Sequence, residues 1–200
     1  MNALLLIDIQ NDFLPGGALA VPEGDAVIAV ANGLMSKFDL VVATQDWHPA
    51  GHQSFASEHP GHGVGEVISI EGGEQVLWPD HCVQKTTGAD FASDLNRSGI
   101  DHVVQKGTDI AIDSYSGFFD NAKRKQTGLD EYLRNRNVKE VSVIGLATDY
   151  CVKFTVLDAI DLGYKVTVDK RGVRGVEIIP GDCEFALRAM ADAGAAFSNA

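Results

Sequence analysis

The sequence lacks several features that would place the protein in a special class. No apolar run approaches the roughly 18–20 residues that span a bilayer. Only three of the 200 residues are cysteines, at wide spacings, so free thiols are expected instead of a disulfide framework. Basic residues are also few: 16 Lys and Arg against 28 Asp and Glu give a formal net charge of −12. This deficit argues against nucleic acid and anionic membrane as partners, since both require clustered basic side chains.

The N-terminal apolar stretch is too short for an export signal. No basic residue precedes it, and Asp8 closes it after five apolar residues. We therefore interpret residues 3–7 as a buried first strand and expect a cytoplasmic protein. The length and the hydrophobic fraction of 45% fit one globular domain over residues 1–200.

Strand-like and helix-like segments alternate along the chain. Apolar runs predict further strands at 40–43, 102–105, 141–146 and 165–168, with an edge strand at 195–197. Helical spacing of apolar residues predicts helices at 23–37, 128–137, 150–162 and 180–193. This alternation predicts an α/β fold with three α/β/α layers and a mainly parallel, doubly wound sheet of about six strands.

The carboxyl ends of the predicted strands bring reactive side chains to one edge, where such sheets bind ligands. Asp8 follows the first strand, residues 45–48 the second, Lys106 the third and residues 147–151 the fourth. The long stretch from about 45 to 88 is rich in Gly and His and has little periodic structure. Loops of that length within a domain are usually functional, so we expect this stretch to contribute to the site.

Cys151 is the candidate nucleophile. It follows a strand and falls in the first turn of a predicted helix, with Thr148 or Asp149 available as the N-cap. The free backbone N–H groups of a helix N-terminus predict a lowered thiol pKa and can stabilise an oxyanion. The alternative is that this cysteine only packs between strand and helix.

Asp8 and Lys106 complete a possible set for acyl transfer. Lys106 would favour the thiolate of Cys151, and Asp8 would relay protons to a leaving group and from water. Taken singly, each residue is more typical of an ordinary strand-end charge that meets solvent.

Asp46 and His48 form an Asp-x-His pattern at the end of the second strand. Residues two apart in an extended segment point to the same side, so both can reach one ion. His81 or His52 could supply a third ligand, and this donor set suits Zn, Fe(II) or Mn with open positions for water or substrate. Cys82 is a weaker candidate, because the side chains of adjacent residues tend to diverge.

Other residues in these segments have simpler interpretations. His59 and His62 are expected to be solvated loop residues, and Cys183 a helix-face residue without a chemical role. The aromatic residues near the site either pack in the core or form a flat slot for a small aromatic ring. They are Phe13, Trp47, Trp78 and Tyr115.

Five motifs carry a resemblance that runs nearly end to end. They are DIQNDF at 8–13, DWHP at 46–49, WPDHC at 78–82, VQKG at 104–107 and ATDYCV at 147–152. In these motifs and their order, the chain resembles the nicotinamidases, also called pyrazinamidases, of the isochorismatase-like cysteine hydrolase superfamily.

The resemblance implies roles for individual residues. It implies a catalytic triad of Asp8, Lys106 and Cys151, with the backbone N–H groups of Ala147 and Cys151 as the oxyanion hole and a cis peptide bond between Leu146 and Ala147. It also implies one divalent metal ion, with zinc favoured and iron or manganese as alternatives. The implied metal ligands are Asp46, His48 and His81, with Ser54 or His52 as a possible fourth, and the implied substrate-binding residues are Phe13, Trp78 and Tyr115.

The reaction implied by the resemblance is hydrolysis of nicotinamide to nicotinate and ammonia through a thioester, a step of NAD salvage, with pyrazinamide as a second substrate. The expected partner is this small molecule, and a homo-oligomer is left open. One alternative is another amidase of the superfamily, acting on an open-chain amide such as N-carbamoylsarcosine or ureidoacrylate. Another is a non-catalytic metal- or thiol-sensing module, in which Asp8 and Lys106 are incidental.

Overall fold

The computed structural model describes residues 1–71 and 73–198 and is built around a six-stranded parallel sheet. Its strands are β1 (Asn2–Ile7), β2 (Leu40–Asp46), β5 (His102–Lys106), β6 (Glu140–Leu146), β7 (Lys165–Arg174) and β8 (Ala196–Ser198). They lie in the order β5-β2-β1-β6-β7-β8, and every neighbouring pair is parallel. The predicted α/β sheet of about six strands is therefore confirmed.

Helices cover both faces of this sheet. They are α1 (Ala26–Met35), α2 (Leu129–Arg134), α3 (Lys153–Asp161) and α4 (Asp182–Ala193). Alternate residues of β1 point to opposite faces, so Leu4 and Leu6 pack in the core on the α1 side, while Leu5 and Ile7 pack on the side of α2 and α3. Burial of each such side chain contributes about 1.5–3 kcal/mol. In the described part of the chain, no helix is long and apolar enough to cross a membrane.

Several element boundaries differ from the predicted ones for local reasons. Strand β2 continues to Asp46, because its polar end pairs with β5 and gains ladder hydrogen bonds that hydrophobic patterning does not reveal. Helix α1 begins only at Ala26, since Glu23 has a left-handed φ of 53°. Helix α4 begins at Asp182, after Gly181 with a φ of 100°, instead of at residue 180.

The segment predicted as a helix from residue 150 is divided into two parts. Residues Thr148–Val152 form a π-helical turn, and regular α-helix starts at Lys153. Cys151 therefore lies in a widened turn between β6 and α3, not in the first turn of an α-helix.

An antiparallel hairpin, β3 (Val67–Ile70) and β4 (Gly73–Val76), was not predicted. It belongs to the long stretch that we expected to be a functional loop. Its strands have only four residues each, and only one of the eight residues is buried, so the apolar pattern that identifies a strand is weak there.

Gly145 permits the close approach of β6 to β1. It has a φ of 128°, and a Cβ at this position would overlap the carbonyl oxygen of Ile7. The register between β6 and β7 also shifts at this point. The strand that leads to Cys151 is therefore shaped by a residue without a side chain.

We expect Gly145→Ala to lower the free energy of unfolding. A residue with a Cβ in a left-handed backbone conformation costs roughly 1–2 kcal/mol, and we expect a clearly larger loss here because the added methyl group also collides with Ile7. Urea denaturation measures this change. Gly163→Ala is the matched control, since Gly163 has a φ of 88° but open space around it. Equal losses in the two variants would contradict the steric explanation.

Candidate active site

The carboxyl edge of the sheet brings the predicted site residues together. Asp8 directly follows β1, Asp46 ends β2 and Lys106 ends β5. Asp46 and Lys106 are direct neighbours in the parallel register of these two strands. Strand β6, on the other side of β1, leads to Cys151. The chain passes through a cis peptide bond between Leu146 and Ala147 on the way, as expected.

The ammonium group of Lys106 is the centre of this cluster. Its Nζ lies 2.9 Å from Asp8 Oδ2, 3.0 Å from Asp46 Oδ1 and 3.4 Å from Cys151 Sγ. It also donates to the carbonyl oxygen of Ser114 at 2.8 Å. Burial alone would lower the pKa of Lys106, but the carboxylates of Asp46 and Asp8 outweigh it and hold the pKa well above its usual value. Lys106 is therefore a buried, charged bridge between the three side chains.

Asp8 is suited to carry a proton. Its Oδ1 accepts a hydrogen bond of 2.6 Å from Thr44 Oγ1, and its Oδ2 forms the ion pair of 2.9 Å with Lys106. Burial raises the pKa of Asp8, although Lys106 and Thr44 oppose this shift. A carboxylate whose pKa is raised in this way is suited to act as a general base.

The thiol of Cys151 does not have the lowered pKa that the sequence predicts. Burial raises its pKa well above the usual value, and Asp8 adds to this shift although Lys106 opposes it. The predicted N-cap is also wrong. The carboxylate of Asp149 instead accepts the N–H groups of Val176 and Glu177, at 3.1 and 2.7 Å. Desolvation therefore outweighs, in the direction of this shift, both Lys106 and the position of Cys151 before a helix.

Asp46, His48 and His81 form a buried group that could hold a metal ion, with one ligand atom from each within 4.8 Å of the others. His48 Nε2 and His81 Nε2 lie 3.0 and 3.5 Å from Asp46 Oδ2. Metal–ligand bonds of about 2.1 Å place two ligands of one ion at most about 4.2 Å apart, so these distances fit. The other ring nitrogens contact the carbonyl oxygens of Gly107 and Pro79 at 3.0 and 2.8 Å, which orients the rings.

The two possible fourth ligands contact each other. His52 Nδ1 lies 2.7 Å from Ser54 Oγ, and both side chains are buried. Burial lowers the pKa of His52 to about 4, so its imidazole is neutral. Cys82 packs in the apolar core instead, and burial raises the pKa of its thiol well above the usual value.

A narrow pocket lies over Cys151 and the metal-binding group. Phe13, Trp78 and Tyr115 line it, as does the Ala147 of the expected oxyanion hole. The hydroxyl group of Tyr115 accepts hydrogen bonds from Trp78 Nε1 at 3.2 Å and from Gln75 Nε2 at 3.1 Å. Three of the four aromatic residues noted in the sequence therefore line one pocket, and Trp47 does not.

Sequence reasoning assigned no role to four residues that line the pocket: Leu19, Asp113, Tyr150 and Val176. Tyr150 lies beside Cys151 in the chain, and its ring centroid is 4.7 Å from that of Trp78. Asp113 lies in the loop after β5, where neither a strand end nor a motif marks it. Its location depends on tertiary packing alone.

The remaining candidates lie away from this pocket. Trp47 packs against the core on the α1 side. His59 Nε2 contacts the carbonyl oxygen of Gln53, and His62 pairs with Glu66 at 2.8 Å in an exposed position. Cys183 lies in the first turn of α4, and all three cysteines are free thiols, as expected.

Known proteins resemble this chain over nearly its whole length. A family model described as the isochorismatase domain matches residues 2–200. The nicotinamidase of Escherichia coli K12 is 52% identical over 97% of this chain and 92% of its own. A nicotinamidase and pyrazinamidase structure from Acinetobacter baumannii has a TM-score of 0.95 at 43% identity, covering 98% of this chain and 94% of that one.

A further solved structure bears on the metal-binding group. The pyrazinamidase of Pyrococcus horikoshii in complex with zinc has a TM-score of 0.80 at 39% identity and covers 98% of both chains. The match to the family model over nearly every residue, together with these identities, shows that the chain belongs to the isochorismatase family.

Proposed function

We propose that the protein is a metal-dependent cysteine amidohydrolase that converts nicotinamide to nicotinate and ammonia, a reaction of NAD salvage. The observation that carries this proposal is the Lys106 ammonium, which contacts Asp8, Cys151 and Asp46 at once. The proposed nucleophile, proton carrier and metal ligand thus all contact the same buried ammonium group. The names of the relatives in Escherichia coli and Acinetobacter baumannii support nicotinamide as substrate and pyrazinamide as a second one.

The first half of the reaction forms a thioester. As Cys151 Sγ attacks the carboxamide carbon, its proton passes to Asp8, and the nearby Lys106 ammonium stabilises the negative charge that develops on sulfur. The backbone N–H groups of Ala147 and Cys151 hold the oxyanion of the tetrahedral intermediate. Asp8 then gives its proton to the leaving nitrogen, and ammonia departs.

The second half hydrolyses the thioester. Asp8, ionised again, takes a proton from water as the water oxygen attacks the acyl carbon. The new tetrahedral intermediate collapses with Cys151 as the leaving group, and the proton on Asp8 returns to the sulfur. The products are nicotinic acid, which ionises, and the restored thiol.

Asp46, His48 and His81 would hold one divalent cation, with zinc favoured and iron or manganese as alternatives. When bound, the cation supplies positive charge and an open position for an electron-pair donor such as a pyridine nitrogen. Phe13 and Trp78 would enclose the ring, and Tyr115 would hold Trp78 in place through its hydrogen bond. A cytoplasmic location, the absence of nucleic-acid and membrane partners, and the oligomeric state remain predictions.

The substrate class is tested by ammonia release from purified protein. We expect turnover of nicotinamide and pyrazinamide, because the pocket is lined by aromatic side chains, and at least 100-fold lower kcat/KM with ureidoacrylate and N-carbamoylsarcosine. Preference for an open-chain amide would favour the alternative amidase. Failure to release ammonia from any of the four would favour a sensing module.

We expect Cys151→Ala to abolish nicotinamide hydrolysis while circular dichroism and thermal unfolding stay close to those of the wild type. The reason is that no other described sulfur lines the pocket. Cys183→Ala, which removes a thiol from α4, serves as the matched control and retains activity. Turnover by Cys151→Ala within tenfold of the wild type would overturn the assignment of the nucleophile.

In the dependence of kcat/KM on pH, we expect the fall in activity on the acid side to report the pKa of Asp8. Activity requires the ionised carboxylate and is lost as pH falls through a pKa raised above the ordinary 3.8. Thr44→Val removes a hydrogen bond that favours the ionised form, so the acid limb moves to higher pH. Thr155→Val changes a buried threonine that contacts the backbone of Gly117 and leaves the limb in place. An unchanged limb in Thr44→Val would contradict Asp8 as the titrating base.

A further inference from the structure

Gln10 is a fully buried polar side chain of the first sequence motif, and the mechanism does not use it. Its carboxamide is hydrogen-bonded at both ends. Oε1 accepts the backbone N–H of Asp46 at 2.8 Å, and Nε2 donates to the carbonyl oxygens of Asp46 and Ala89 at 2.8 and 2.9 Å. Because one partner only donates and the other two only accept, these contacts also fix the orientation of the amide group.

This side chain continues the ladder between β1 and β2 beyond the end of β1. The backbone pairing of the two strands ends at Ala43, and the chain after β1 passes through Asp8, which has a left-handed φ of 48°. Asp46 lies three residues farther along β2, with β5 on its other side. A buried N–H or C=O group without a partner is costly, so the backbone of Asp46 needs partners here. The carboxamide of Gln10, which has the donor and acceptor of a peptide group, supplies both.

The carboxylate of Asp46 has to be placed accurately, because it has three partners. Oδ1 lies 3.0 Å from Lys106 Nζ, while Oδ2 lies 3.0 Å from His48 Nε2 and 3.5 Å from His81 Nε2. A shift of the last residue of β2 would weaken all three contacts together. A misplacement of about 1 Å at a reacting centre can lower the rate by about 100-fold, so the backbone partners of Asp46 bear on the chemistry.

We propose that Gln10 is a positioning residue, which fixes the end of β2 through the backbone of Asp46 and thereby aligns the Asp46 carboxylate with Lys106 and with the two histidines. Gln10 itself is not among the residues that line the pocket, so it acts through Asp46 and not on the substrate. This inference rests on the proposed function, because it requires that Asp46 holds a cation and orients the Lys106 ammonium.

Gln10 also has a structural contact that the experiment must separate from this role. Its bond to the carbonyl oxygen of Ala89 anchors the segment 88–92, which is also hydrogen-bonded by its backbone to the residues that follow β1. Gln45 offers a matched control, since it is also buried and donates to the same carbonyl oxygen at 2.9 Å. Its side chain forms no hydrogen bond with the backbone of Asp46 among the described residues. Methionine at either position keeps the length of the side chain but has no donor.

The test compares Gln10→Met with Gln45→Met in two measurements. Zinc affinity of metal-free protein is measured by competition with a chromophoric chelator, and kcat with nicotinamide is measured at saturating zinc. We expect Gln10→Met to weaken zinc binding about tenfold or more and to lower kcat about tenfold or more, as is typical for loss of a group that orients a metal ligand. Gln45→Met should stay within about threefold of the wild type in both. Urea denaturation establishes that both variants are folded.

A double-mutant cycle on zinc affinity tests whether Gln10 acts through Asp46. Asp46→Asn keeps the backbone at this position but removes the charged carboxylate. In the Asp46→Asn background, Gln10→Met should weaken zinc binding by less than about twofold, because the carboxylate that Gln10 positions is already absent. A loss in the double variant as large as that in Gln10→Met alone would overturn the inference, since Gln10 would then act through the segment 88–92.

Asp46→Asn by itself separates failure of this inference from failure of the proposed metal site. If Asp46→Asn loses zinc while Gln10→Met binds it no more weakly than Gln45→Met, the proposed site stands and the positioning role of Gln10 is wrong. If Asp46→Asn binds zinc as tightly as the wild type, the proposed metal site itself is wrong, and the inference about Gln10 falls with it.

Discussion

The contact on which the rest of the site depends is the buried ammonium of Lys106 between Asp8 and Asp46. A charge in the protein interior is tolerated only with close partners, and loss of one partner of such a pair typically costs about 3–5 kcal/mol. Asp46 ends β2, the neighbour of β5 in the sheet, and Asp8 directly follows β1, the next strand beyond β2. The strand order therefore brings together the carboxylates that the buried ammonium needs as partners.

This ammonium also determines which proton positions are possible. Burial raises the pKa of both Cys151 and Asp8 and thus opposes the charged form of each, while Lys106 favours it. Lys106 can stabilise a negative charge on either group. In the proposed mechanism this charge lies on the Asp8 carboxylate before the attack and on the Cys151 sulfur during it. A thiol that stays protonated until a substrate arrives is also protected from oxidation, since the thiolate is the reactive form.

The sequence allowed the position of the site to be predicted, but not its electrostatics. Asp8 and Lys106 could be assigned to one edge because each follows an apolar strand, and strand ends in parallel sheets converge. The raised pKa of Cys151 could not be predicted, since it arises from burial and from carboxylates distant in sequence. Hairpin β3–β4 and the role of Asp113 could not be predicted for a similar reason. Short strands near the surface and a loop carboxylate have no periodic signal in the sequence, and only tertiary contacts define them.

Those tertiary contacts also connect the loop after β5 to both halves of the site. Ser114 offers its carbonyl oxygen to the Lys106 ammonium, and the preceding residue, Asp113, faces His48 and accepts a hydrogen bond from Gln75. One short loop thus contacts the ammonium with the main chain of one residue and faces the imidazole with the side chain of its neighbour. Because Gln75 also donates to Tyr115, displacement of this loop would disturb the aromatic wall of the pocket together with the charged groups beneath it. The shape of the pocket and its charge are therefore coupled through one segment, which explains why a loop without a recognisable motif lies at the centre of the site.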